Sequence, residues 1–130
     1  QTVLPKHSRL RRSREFSQVY RQGRKSVSAH LVVRAWSPPA PSLNPGEPLE
    51  APASPRIGIV VSQKVHKRAV VRNRLKRQVR AALRVLLPRL SPHLWVVINL
   101  RPEATQCDYG EFLRELEQLF TKLEVLHGHS

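Results

Sequence analysis

Arg68 to Leu87 reads RAVVRNRLKRQVRAALRVLL, and this stretch decides the fold because helical periodicity and dense positive charge coincide in it. At 100° per residue, Val71, Leu75, Val79, Ala82, Leu83 and Leu86 fall on one side. Arg72, Asn73, Lys76, Arg77, Arg80 and Arg84 fall together on another. Ala, Leu, Arg and Lys are good helix formers and Pro88 cannot continue the pattern, so the spacing predicts a helix of about five turns ending near Leu87. One face needs a core and the other needs an anion. An ordinary solvated helix would intersperse acids, but none occurs between Ala51 and Leu100, so no i,i+4 ion pair relieves the repulsion. A polyanion would.

The whole chain has the same bias. Twenty-three Lys and Arg against nine Asp and Glu give a net charge of +14 and a pI near 11.5, the electrostatic footprint of a nucleic-acid binder. Arg outnumbers Lys, which favours bidentate phosphate contacts and stacking on bases. With 130 residues and 40% apolar content, residues 1–130 suit a single domain with a modest core. The lone Cys107 excludes an intramolecular disulfide and is expected as a free thiol beside a helix start, in a reducing compartment. There is no run of 18 apolar residues and no apolar N-terminal stretch of the signal-peptide kind. The expectation is a soluble, cytoplasmic protein with no membrane contact, since the apolar face of residues 68–87 also lacks the Trp or Phe of interfacial anchors.

Residues 1–12 form a basic arm with Lys6, Arg9, Arg11 and Arg12 and no acid. Ser13 is placed to cap a short helix through Gln22, stopped by Gly23, with Phe16, Val19 and Tyr20 sharing a face. Phe16 and Val19 read equally well as packing residues, whereas the polar tip of Tyr20 suits a cleft edge where a base can stack. Ala29 to Trp36, AHLVVRAW, reads as a strand. Residues 37–55 hold seven of the eleven prolines, which excludes helix and sheet interior and predicts an inserted loop, with Glu47 and Glu50 keeping it off nucleic acid. Arg56 to Ser62, RIGIVVS, is continuously apolar and predicts a central strand. Gln63 to Lys67 turns into the basic helix, placing Lys64 and Lys67 near an N-terminus that favours anions. Leu94 to Leu100, LWVVINL, is a third buried strand, so strand, helix and strand make a βαβ-like unit. Asp108 with Glu111 is a capping-box pattern opening a C-terminal helix whose stripe is Phe112, Leu113, Leu116, Leu119, Phe120 and Leu123. Residues 127–130 read as a frayed tail.

Charge is segregated along the chain. Residues 56–100 hold eleven cations and no acid, while residues 101–130 hold six acids and three cations, so the C-terminal helix is expected to face away from nucleic acid. A protein nuclease using two metals needs convergent carboxylates, yet Glu15 is the only acid before Glu47. His7, His30, His66, His93, His127 and His129 show no metal-ligand spacing. A zipper dimer is excluded because Pro88 ends the basic helix with no leucine heptads beyond, and no helix-turn-helix spacing precedes it.

Lys64 to Arg84, with Arg72-Asn73-Arg74, Leu75-Lys76-Arg77 and Arg80, resembles the signature of the bacterial ribonuclease P protein subunit. Leu10 to Arg12, Phe16, Val19-Tyr20, Gly23, the RIGIVVS strand with Lys64, and Arg101-Pro102 fall in the matching order. The resemblance covers nearly the whole chain outside the proline-rich stretch and the tail. It implies an α+β fold, an α-β sandwich with three helices on a central, mostly antiparallel sheet. The implied order is α-β-β(-β)-α-β-α, with a fourth short strand that periodicity does not locate and a left-handed βαβ crossover.

The resemblance also implies a role. The family's RNA subunit carries out Mg²⁺-dependent endonucleolytic removal of the 5′ leader from precursor tRNA, so the catalytic groups are expected in the RNA, Mg²⁺ is expected to be bound mainly by the RNA, and the protein alone requires no cofactor. Lys67, Arg68, Arg72, Asn73, Arg74, Lys76, Arg77, Arg80 and Arg84 are the implied contacts to ribonuclease P RNA. Phe16, Tyr20, Arg34 and Lys64 are the implied cleft for the single-stranded leader, with Arg9, Arg11 and Arg12 as additional basic contacts. No obligatory protein partner is implied. Val65-His66-Lys67-Arg68 stands where many members have glycine, and Arg34 where some have an aromatic. Charge and fold class fit equally a structured-RNA-binding protein of ribosomal or assembly-factor type; the order of the motifs separates the two.

Overall fold

A central strand, β4 (Trp95–Leu100), pairs antiparallel with β2 (Leu31–Trp36) on one side and parallel with β3 (Arg56–Val60) on the other. In this computed structural model, which describes residue 10 and residues 13–38 and 55–126, β1 (Arg24–Val27) extends the sheet to the order β1-β2-β4-β3. The helices are α1 (Ser13–Gln22), α2 (Ala69–Leu86) and α3 (Tyr109–Lys122), with short 3₁₀ segments at Leu87–Arg89 and Pro102–Gln106. The result is an α+β fold with a mixed, mostly antiparallel sheet. The basic arm apart from Leu10, most of the proline-rich stretch (39–54) and the tail lie outside the described residues.

Strand alternation sorts the sheet into two faces. Leu31, Val33, Ala35, Ile57, Val96, Ile98 and Leu100 point to one face and meet the stripes of α2 and α3 in the main core. From α2 this core takes Leu75, Val79, Ala82, Leu83 and Leu86, and from α3 Phe112, Leu116, Leu119 and Phe120, all essentially solvent-free. Each fully buried side chain of this size contributes roughly 1.5–3 kcal/mol. The opposite face buries Val97 beneath Val19 of α1, with Leu10, Phe16, Val60 and the edge-to-face pair Trp36–Trp95 around it.

One expectation changes. RIGIVVS is an edge strand, not a central one; its apolar run arises because both its faces are covered, Ile57 by the main core and Gly58 by Phe16. A Cβ at Gly58 would stand 2.4 Å from the Phe16 ring, so this close approach requires glycine. α3 packs beside α2 on the same face of the sheet. Both helices start where β3 and β4 finish and end where those strands begin, as Ser91 N–H bonding to the Val125 carbonyl at 3.1 Å shows. The fourth strand, RKSV, escaped periodicity because only Ser26 of its four side chains is buried.

The β1–β2 turn is pinned to α3 by one buried carboxylate. Glu115 accepts from the Ser28 hydroxyl, from His30 Nδ1 at 2.5 Å and from the His30 backbone N–H at 3.1 Å. Burial pushes this carboxyl up, but the hydrogen bonds from Ser28 and His30 together outweigh it and leave it below the ordinary carboxylate value. Arg101 closes the same corner, its guanidinium donating to the Ser28 carbonyl at 2.9 Å and its backbone N–H to the His30 carbonyl at 2.9 Å.

Candidate nucleic-acid interface

The buried stripe of α2 fixes where its cations go. Asn73, Arg74, Arg77 and Arg84 are exposed, and Lys76 and Arg80 are half-buried with their stems along the helix. Among the described residues, Lys76, Arg77 and Arg80 join no ion pair with an acid. The N-terminus is equally positive. Arg68 occupies the cap position without a side-chain cap bond, and the first turn contains no acid. Lys67 and Arg68 are exposed there.

Arg72 is not simply a surface cation. Its Nη1 donates to the carbonyls of His66 at 2.9 Å and Lys67 at 2.7 Å, so it holds the turn that leads into α2. His66 Nδ1 accepts from the Arg68 N–H at 3.0 Å, and Val65 is buried. The residues standing where the family often has glycine therefore anchor the turn, and Lys64, beside buried Val65, is exposed.

On the other face of the sheet, Tyr20 of α1 and Arg34 of β2 come together. The Arg34 guanidinium lies 4.8 Å from the Tyr20 ring centroid, a cation–π contact. Asn99 of β4 joins them: its Oδ1 accepts from Arg34 Nη1 at 3.1 Å and from the Tyr20 hydroxyl at 3.1 Å, and its Nδ2 donates back to that hydroxyl at 2.9 Å. Tyr20 remains 42% exposed, so an outward ring face and the guanidinium plane are open to stacking. Phe16, one turn earlier on α1, is half-buried against β3 at Gly58 and chiefly packs. Lys64 is outside this hydrogen-bonded group; it follows β3, whose last residue Val60 pairs with Asn99, and so lies at the same end of the sheet. Leader candidates Tyr20 and Arg34 thus meet directly, Phe16 packs on the same face beside Val19 and Gly58, and Arg9, Arg11 and Arg12 lie outside the described residues.

Asn99 was not singled out from the sequence. The signal was present: it is the one polar side chain in WVVINL, at the alternate position that faces α1 together with Trp95 and Val97. At the opposite end of this face Arg56 pairs with Glu15 at 3.0 Å and lies over the Trp95 ring, again on the α1 side.

These surfaces suit polyanion binding. Glu15 is tied to Arg56, Glu115 to His30, and Glu117 to Arg89 at 3.3 Å. No helix among the described residues is long and apolar enough to cross a membrane.

The sequence profile of the Ribonuclease P family matches residues 4–124. The "Ribonuclease P protein component" of Cyanothece sp. is 48% identical, covering 98% of this chain and 100% of its own length. That of Rippkaea orientalis is 44% identical over 98% of this chain and 94% of its own. Among solved structures, the RNase P protein of Staphylococcus aureus superposes with a TM-score of 0.73 at 22% identity, covering 92% of this chain and 98% of that one. The RNase P protein from Thermotoga maritima gives 0.68 at 25% identity, covering 88% and 96%. With a family match over residues 4–124, relatives covering 98% of the chain and the same α+β fold, the chain belongs to the bacterial ribonuclease P protein components.

Proposed function

We propose that the chain, acting as one domain, binds ribonuclease P RNA through α2 and the turn before it, and holds the single-stranded 5′ leader of precursor tRNA on the α1 face of the sheet. Membership of the family makes it a component of the ribonuclease P holoenzyme, an endoribonuclease of tRNA processing, in association with ribonuclease P RNA. The observation that carries the assignment of the RNA surface is the basic face of α2, which lacks acidic partners at Lys76, Arg77 and Arg80 while the opposite stripe is fully buried. Asn73, Arg74, Lys76, Arg77, Arg80 and Arg84 contact phosphates, with Lys67 and Arg68 adding charge at a helix N-terminus that already favours anions. Arg72 has two tasks, a phosphate contact and support of the turn.

Tyr20 and Arg34, fixed by Asn99, form the stacking platform for the leader, and Lys64 at the same end of the sheet leads from it towards α2. Stacking of one base on such a platform contributes roughly 1–3 kcal/mol with little sequence preference, which suits leaders of varied sequence. The basic face offers no carboxylate to hold Mg²⁺, so the residues of that face do not fit a magnesium centre, and the ion is assigned mainly to the RNA.

The test is cleavage of a precursor tRNA at low Mg²⁺ by a bacterial ribonuclease P RNA, with and without this protein. The expected result is an inert protein alone and much faster cutting at the mature 5′ end in the mixture. Binding without any change in rate would overturn the subunit role, and cutting by the purified protein alone would overturn the placement of catalysis in the RNA.

A further inference from the structure

A second group of chemistry-bearing side chains converges on the α3 side of the sheet, opposite α1. His30 in the β1–β2 turn, Cys107 just before α3 and Glu111 in the first turn of α3 each bring one donor atom within 4.8 Å of the others. Two segments far apart in sequence assemble it, His30 from one and Cys107 with Glu111, four residues on, from the other, so the spacing of the histidines did not reveal it. A ring nitrogen, a sulfur and a carboxylate oxygen form the donor set of a borderline-soft divalent ion, unlike the all-oxygen shell that Mg²⁺ takes.

The environment of the imidazole agrees with that chemistry. Glu115 accepts a hydrogen bond from His30 Nδ1, and further bonds from Ser28 and the His30 backbone hold the carboxylate itself in place. With Nδ1 engaged by Glu115, Nε2 is the ring nitrogen left for an ion. A carboxylate behind a histidine in this way fixes the ring's tautomer and orientation and strengthens it as a ligand.

We propose that His30, Cys107 and Glu111 form a three-ligand site for a divalent ion of the zinc class, with water in the fourth position, clamping the β1–β2 turn to the start of α3. Cys107 is a buried free thiol, and its pKa is pushed up to about 12 by burial and then by the charges of Glu111, Glu115 and Asp108. Binding forms a metal–sulfur bond and releases the thiol proton to solvent.

The experiment uses the full chain, stripped with a chelator and titrated with Co²⁺ as a spectroscopic probe and then with Zn²⁺. One equivalent of Co²⁺ is expected to give a thiolate-to-cobalt charge-transfer band, which Zn²⁺ displaces, and Zn²⁺ is expected to raise the melting temperature. Cys107→Ser should abolish the band. Because that substitution alters a buried site, Glu111→Gln is the second variant: the residue is half-buried, and Zn²⁺ affinity should fall by at least about tenfold while the metal-free protein still unfolds cooperatively. Absence of the band in the unaltered chain, or unchanged Zn²⁺ affinity in Glu111→Gln, overturns the site. So does loss of binding only in a His127→Gln, His129→Gln variant. No RNA enters the measurement, so its failure is separate from failure of the RNA-binding reading.

Discussion

α2 and α3 lie side by side on one face of the sheet, start at the same end and bury comparable stripes, yet their N-termini are built in opposite ways. Asp108 caps α3 by accepting from the Glu111 N–H at 2.9 Å, and Glu111 places a second acid in the first turn. Both complement the positive end of the helix dipole. α2 instead opens with Lys67, Arg68 and Arg72, no side-chain cap and no acid. Its charges add to the dipole rather than offset it. Packing alone would not distinguish the two helices. The difference teaches that α3 answers its helix dipole with its own acids, whereas the first turn of α2 leaves the dipole's positive end without an acid.

Salt should separate the helices most sharply. If about six side chains of α2 and its turn each neutralise a phosphate, log K against log salt falls with a slope of about −4 to −5, so fourfold more salt lowers RNA affinity by about 250- to 1,000-fold. Glu117→Ala on α3 should leave that line unmoved, and a slope near −1 would break the comparison.

Next in size is Glu115→Gln, which removes the carboxylate that joins α3 to the β1–β2 turn. Denaturant unfolding should show a loss of about 2–3 kcal/mol, as for hydrogen bonds to a buried charged group. Because the folded carboxyl lies below its ordinary value, the stabilisation is present above the unfolded value and disappears as pH falls through the folded one. Acid titration should therefore destabilise the parent chain more steeply than Glu115→Gln; parallel curves would contradict the role given to this group.

Arg77→Ala should weaken binding to all RNA sequences alike and reduce the salt slope by about 1, with no change in melting temperature. Arg72→Ala should do the same but also lower the melting temperature, because the carbonyls of His66 and Lys67 lose their donor. Identical behaviour of the two variants would remove the structural task assigned to Arg72. The smallest effects concern the caps themselves. Asp108→Ala should cost about 1 kcal/mol of stability, whereas Arg68→Asp, which gives α2 a cap of the α3 kind, should gain a similar amount at the expense of RNA affinity. Chemical unfolding and filter binding read these two opposed signs.

Much of this was legible in the sequence where one local rule dominated. The α2 stripe, the stop at Pro88, the Asp108 cap and the alternation in β4 follow from spacing, and the structure places them at Ala69–Leu86, Tyr109–Lys122 and Trp95–Leu100. RKSV was illegible because it is held by pairing with β2, not by an apolar pattern of its own. The edge position of β3 was hidden because two-sided burial gives an edge strand the composition of a central one. For the proposed site, helical spacing exposed the basic face, but the meeting of Tyr20, Arg34 and Asn99 depends on three elements brought together by the sheet. The convergence of His30 with Cys107 had the same cause.

The central position of β4 also has a consequence for the order in which the chain can become a protein. During synthesis from the N-terminus, β1 and β2 leave the ribosome early and can form their hairpin, but the strand that joins β2 to β3 is made about 60 residues after β2, at a rate of roughly 5–20 residues per second. Until Trp95–Leu100 emerges, the sheet is split in two halves and the apolar stripe of α2 has no completed surface to cover. Its basic face, by contrast, is finished as soon as the helix forms. A nascent chain therefore presents the positive surface to surrounding RNA before it owns a core, and any early encounter happens on a half-built scaffold.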